Sequence, residues 1–117
     1  MSLNWTKIAE HPNELNFNDE GLAEVQVGDR KFCIARFEDR LFACSHKCPH
    51  AAVPLAGGYI DTKGNIVCPL HRFKFSLETG RNVSGEGYFL KHWPVELRED
   101  GVYIALESPS GFWKIFG

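Results

Sequence analysis

Two short knots of cysteine and histidine constrain this chain more than any other feature. The first is Cys44-Ser45-His46-Lys47-Cys48-Pro49-His50 and the second is Cys68-Pro69-Leu70-His71. Between Cys44 and His92 lie three of the four cysteines and four of the five histidines, most of them in these knots. Thiolate and imidazole together suit zinc, copper or iron–sulfur centres rather than hard cations. Two Cys and two His, one pair per loop, form a four-coordinate clamp. Zinc in its usual order places cysteines with cysteines and histidines with histidines. Here each knot mixes the two, which suits a binuclear centre in which one metal takes both thiolates and the other both imidazoles.

The clamp needs a folded core, and composition supplies one. A 117-residue chain, 44% apolar and 24% charged, falls within the range of one domain (residues 1–117) and buries roughly two thirds of its unfolded surface. The N-terminus shows no basic segment followed by an apolar run, so a cytoplasmic address is expected, where cysteines serve as ligands or free thiols rather than disulfides. No apolar stretch approaches the ~20 residues of a membrane span. A net charge of −2 carries no field directed at nucleic acid. Ile8 to Asp29 holds six acids and no Lys or Arg, whereas Lys47, Lys63, Arg72, Lys74 and Arg81 surround the knots. These are either two solvated faces or a basic rim that favours an acidic partner.

Short alternating runs between turn signals predict an all-β chain. Leu22–Val27, Lys31–Phe37 and Leu41–Cys44 form a meander around Gly28-Asp29 and Glu38-Asp39-Arg40. Gly58–Ile60 and Asn65–Cys68 flank a loop ending in Gly64, so a hairpin separates the halves of the clamp. Arg72–Leu77 alternates strictly, and Trp93–Arg98 with Val102–Leu106 reads as a final hairpin. His11–Asp19, with Pro12, reads as a polar loop. The tail after Ser108 carries Phe112, Trp113, Ile115 and Phe116, which either pack back on the sheet or form a docking surface.

Cys48-x-His50, 17 residues, then Cys68-x-x-His71 is a specific spacing. With Pro54-Leu55, Gly57-Gly58, Phe73 and Gly80 at their places, it resembles the Rieske iron–sulfur signature, over Leu22 to Leu106. The resemblance implies three antiparallel sheets, with one [2Fe-2S] cluster at the tip of two loops. It also implies that Cys48 and Cys68 hold the buried iron and His50 and His71 the outer one. Cys44-x-His46 is a second candidate pair, with a 21-residue gap, and the Pro and Gly residues after Cys48 favour the first. Cys44 is then a strand end, His46 a polar loop residue, Cys33 a core thiol, and His11 and His92 surface residues. Pro49 and Pro69 restrict the loops. Gly57-Gly58 is expected to bring the backbone close to the cluster. Val53 and Leu70 stand where high-potential relatives carry a disulfide, and Phe73 where they carry a serine donor. Both point to a potential near the low end of the Rieske range.

By resemblance the chain is a soluble Rieske-type ferredoxin. It would carry one electron from a flavin-linked reductase to a terminal oxygenase or similar enzyme, without substrate chemistry of its own. The alternatives are a small subunit of a nitrite-reductase-like complex and a redox-silent zinc module.

Overall fold

The structure is a computed structural model that describes residues 3–50, 52–85 and 87–107. Ten strands run in order: β1 (Leu3–Ala9), β2 (Leu22–Val27), β3 (Arg30–Phe37), β4 (Arg40–Ser45), β5 (Tyr59–Ile60), β6 (Asn65–Val67), β7 (Lys74–Ser76), β8 (His92–Trp93), β9 (Val95–Arg98) and β10 (Gly101–Glu107). They form three antiparallel sheets, ordered β1-β10-β9, β2-β3-β4-β8 and β5-β6-β7. Two single 3₁₀ turns, Pro12–Glu14 and Leu55–Gly57, are the helical elements among the described residues. The all-β expectation holds.

Local chemistry sets the hairpins. Glu38 and Asp39 both take positive φ (53° and 65°) between the paired Phe37 and Arg40, the two-residue turn whose twist matches that of its strands. Gly28, at φ 63°, serves the β2–β3 turn. In β3 the run Phe32–Ala35 is buried throughout, because the central sheet is covered on both faces. Cys33 and Ala35, with Leu22 and Cys44, face one cluster that holds Cys48, Leu55, Ile66, Cys68 and Phe75. Phe32 and Ile34, with Ala23 and Ala43, face a second with Trp93, Val102 and Ile104. The two-residue period of a strand thus splits the core in two, and one half lies beneath the cysteine–histidine knots.

Two expectations need correction. Trp93–Arg98 is not one strand. Trp93 pairs with Ala43 in the central sheet, while Val95–Arg98 pairs with β10. Pro94, which has no N–H to give a ladder, marks the transfer between sheets. A further strand stands outside those expected from the sequence: β1 pairs with β10 from Leu3↔Glu107 to Ala9↔Val102. His11–Asp19 is the expected loop apart from its 3₁₀ turn, which His11 caps by accepting from the Asn13 amide at 3.3 Å. The aromatic tail lies outside the described residues.

Candidate metal centre

Both knots close in the same way. The Cys48 amide donates to the Val53 carbonyl at 2.8 Å, and the Cys68 amide to the Phe73 carbonyl at 2.8 Å. Each loop is therefore pinned from its cysteine to the fifth residue beyond. Tightness on this scale forces non-glycine residues into the left-handed region: Ala52 (φ 55°) in the first loop, His71 (φ 66°) and Arg72 (φ 60°) in the second. Such positions cost on the order of 1–3 kcal/mol each and persist where the surroundings over-determine them. They also explain why β7 begins at Lys74 rather than at the expected Arg72.

The loops are held against each other by close backbone approach. A Cβ at Gly58 would overlap the Val67 carbonyl oxygen, whereas one at Gly57 would only touch Pro69 Cγ at 3.7 Å. Gly58 thus seats the first loop on the residue before Cys68, so the close approach seen here is to the partner loop.

The side chains converge at the tip. Ligand atoms of Cys48, His50 and Cys68 lie within 4.8 Å of one another. His50 Nδ1 is 3.2 Å from Cys48 Sγ, and its Nε2 is 3.2 Å from His71 Nδ1. Burial grades outward: Cys48 and Cys68 are buried, His50 is half-buried and His71 exposed. Burial pushes the Cys68 thiol up to about 11; the Leu70 amide, donating to its sulfur, pulls the other way, and the neighbouring Cys48 thiol adds to the rise. A metal that displaces the proton relieves this, because thiolate is the ligating form. Two buried sulfurs with an amide donor, beneath two imidazoles that reach solvent, fit a binuclear iron–sulfur group.

The competing pair is placed elsewhere. Cys44 sits in β4 directly opposite Cys33, both buried. Its thiol is raised well above the usual range by hydrogen bonding to Cys33 and then by burial. His46 is half-buried, and its Nδ1, 3.7 Å from Glu24 Oε2, has no hydrogen-bond partner among the described residues. His92 is exposed in β8.

One contact escapes sequence reasoning. Phe73 stacks on His50, ring centroids 3.7 Å apart at 21°, and Tyr88, from the loop between β7 and β8, lies 5.8 Å from His50 and 5.9 Å from Phe73. The signal available was an aromatic pair, Tyr88-Phe89, just after Gly85 and Gly87 in a segment with no strand period. The supposed basic rim also changes. Lys63 lines a groove with Glu38 and Arg40 away from the knots, and Lys74 Nζ lies 3.9 Å from Asp61.

A two-cysteine, two-histidine clamp at the tip of a three-sheet β fold defines a class of iron–sulfur proteins. The Rieske [2Fe-2S] domain family matches residues 4–88, and the chain belongs to that family, whose cofactor is one [2Fe-2S] cluster. A ferredoxin component of the alkene monooxygenase system of Xanthobacter autotrophicus is 28% identical over 69% of this chain and 66% of its own length. A nitrite reductase (NAD(P)H) of Emericella nidulans is 31% identical over 81% of this chain. Among solved structures, a chain from the complex of reduced oxygenase and oxidised ferredoxin in carbazole 1,9a-dioxygenase superposes with a TM-score of 0.73. It is 27% identical and covers 89% of this chain and 94% of its own. The chain spans just under two thirds of the first relative's length and 9% of the second's.

Proposed function

We propose that the chain is a one-electron carrier, a Rieske-type ferredoxin that takes electrons from a flavin-linked reductase and delivers them to a terminal oxygenase or related enzyme. Cys48 and Cys68 would hold one iron as thiolates, and His50 and His71 would hold the other through imidazole. Bound there, the cluster supplies reversible one-electron chemistry. The protein's own part is positional. The two closed loops fix the donors, the Leu70 amide offsets charge on the Cys68 sulfur, and the buried cysteines keep water from the inner side. The exposed imidazole of His71 above buried thiols is the observation that carries this reading, because it gives electrons a short exit to a docked partner.

Ferredoxin components of oxygenase systems among the relatives support the same role. This role gives the chain no substrate chemistry of its own. No helix among the described residues is long and apolar enough to cross a membrane. The test is spectroscopic and functional. The purified protein should be coloured, give a reduced-state electron paramagnetic resonance signal with average g below the free-electron value, and cycle between a flavin reductase and an oxygenase. A colourless protein loaded with zinc refutes the assignment.

A second reading has one observation behind it: the nitrite reductase relative contains a matching stretch within a far longer chain. A subunit role predicts co-purification with a large partner from the native host, whereas a free carrier sediments alone.

A further inference from the structure

The charge at the tip opposes the charge of the chain. The whole sequence carries −2, yet the stretches 46–58, 68–74 and 79–92, which contain the two knots and the segment after Thr79, hold Lys47, Arg72, Lys74, Arg81 and Lys91 against one carboxylate, Glu86. Lys74 is drawn to Asp61. Lys47, Arg72, Arg81 and Lys91 are exposed, and among the described residues none has a carboxylate within ion-pairing distance. Asp29, in the groove beside Lys47, is matched there by Lys31.

Glu24 Oε2 lies 3.7 Å from His46 Nδ1, and Glu107, which pairs with Arg30, lines a groove with Phe89 and Lys91, whereas Glu38 and Asp39 are distant. They occupy the turn after Phe37, at the far end of β3 from the Phe32↔Ser45 pair that borders the first knot. The five steps from Phe32 to Phe37 take about 17 Å at the usual rise per strand residue. The Debye length is about 10 Å at 0.1 M ionic strength, so a partner at the tip responds to the local cations more than to the net charge.

Between the cations stand apolar side chains open to solvent: Leu70 at 42%, Val83 at 49%, Tyr88 at 42% and Phe89 at 70% exposure. Aromatic anchors among arginines are the composition of interface centres.

We propose that this tip is a docking surface for a redox protein whose own electron port is rimmed by carboxylates. Leu70, Tyr88 and Phe89 pack at the centre, while Lys47, Arg72, Arg81 and Lys91 steer the approach. The proposal rests on the carrier reading and names the charge of the partner, which that reading leaves open.

Small inorganic oxidants read the field at the port directly. The reduced holoprotein passes one electron to ferricyanide, which becomes ferrocyanide, and the second-order rate is followed by stopped flow as salt is raised. A positive port attracts the trianion, so the rate should fall at least about fivefold from low to high ionic strength. With tris(phenanthroline)cobalt(III), a trication, the rate should rise. The doubly substituted Lys47→Glu/Arg72→Glu protein should reverse both slopes, whereas Glu38→Gln/Asp39→Asn should reverse neither. A redox-inert anion, hexacyanocobaltate(III), should shift the amide resonances of Val83 and Lys91 on binding, independently of electron transfer. A ferricyanide rate that climbs with salt, as a net charge of −2 directs, overturns the proposal while leaving the carrier reading intact. Absence of a redox-active cluster defeats the carrier reading itself.

Discussion

Adjacent glycines offer a matched test of how the two ligand loops are held. At Gly58 an added Cβ overlaps the Val67 carbonyl oxygen and meets Val67 C at 3.1 Å and Pro69 Cδ at 3.2 Å. These atoms cannot yield cheaply, because Val67 is laddered to Tyr59 and Lys74 and precedes Cys68. Overpacking a tight site costs about 1–3 kcal/mol, and a ladder hydrogen bond lost in relieving it adds about 1 kcal/mol. We take about 3 kcal/mol for Gly58→Ala, and at about 4 °C per kcal/mol for a chain of this size the melting temperature should fall by about 12 °C. At Gly57 the new Cβ only touches Pro69 Cγ at 3.7 Å, and its backbone does not take positive φ. Gly57→Ala should therefore stay within about 0.5 kcal/mol, the lost freedom of the unfolded chain offsetting any small strain. Circular-dichroism melts on the two variants, with iron counted per chain, decide the matter. Equal melting temperatures, or a larger loss at Gly57, would refute the claim that Gly58 seats one loop on the other.

Replacing His71 with Ala should abolish cluster assembly, measured by iron content and visible absorbance, while His46→Ala and Cys44→Ser should retain it; equal loss in all three would put the ligands in the other register. Phe73→Ser should raise the midpoint potential from near the low end of the range of about −150 to +300 mV, as a hydroxyl donor replaces a ring, and a wild-type midpoint near the top would contradict the argument from Val53, Leu70 and Phe73. Asp61 should contribute to acid stability. Burial acts to raise its carboxyl, but donation from the Asn65 amide and side chain, from the Lys63 amide, and the charge of Lys74 leave it below the ordinary 3.8. A depressed carboxyl stabilises the fold at pH above its unfolded value, and that stability is lost as pH falls through the folded value. Urea midpoints taken from pH 5 to pH 2 should therefore decline less steeply in Asp61→Asn than in the wild type.

Local chemistry explains why much of the fold was legible. The turns at Gly28-Asp29 and Glu38-Asp39 carry their conformational preference in one or two residues, and β2 follows the apolar alternation of Leu22–Val27. Donor identity is equally local, since mixed thiolate and imidazole exclude hard cations wherever they stand. What was hidden is non-local. The strand β1 finds its partner about a hundred residues on, in the Leu3↔Glu107 register, and nothing in its own alternation names that partner. The rim was misjudged at Lys63 because proximity in sequence to the second knot is not proximity in space, the hairpin turn carrying it toward Glu38.

The sequence by itself determined the all-β class, the Rieske family likeness and the set of sulfur and nitrogen donors, because these depend on residue type, a two-residue period and fixed spacing. The tertiary structure alone decided that Cys44 faces Cys33 inside the central sheet, that His50 rests against Phe73 beside Tyr88, and that Pro94 divides one apolar run between two sheets. Each of these is set by strand register and sheet packing. A shift of one residue would send every one of those side chains to the opposite face.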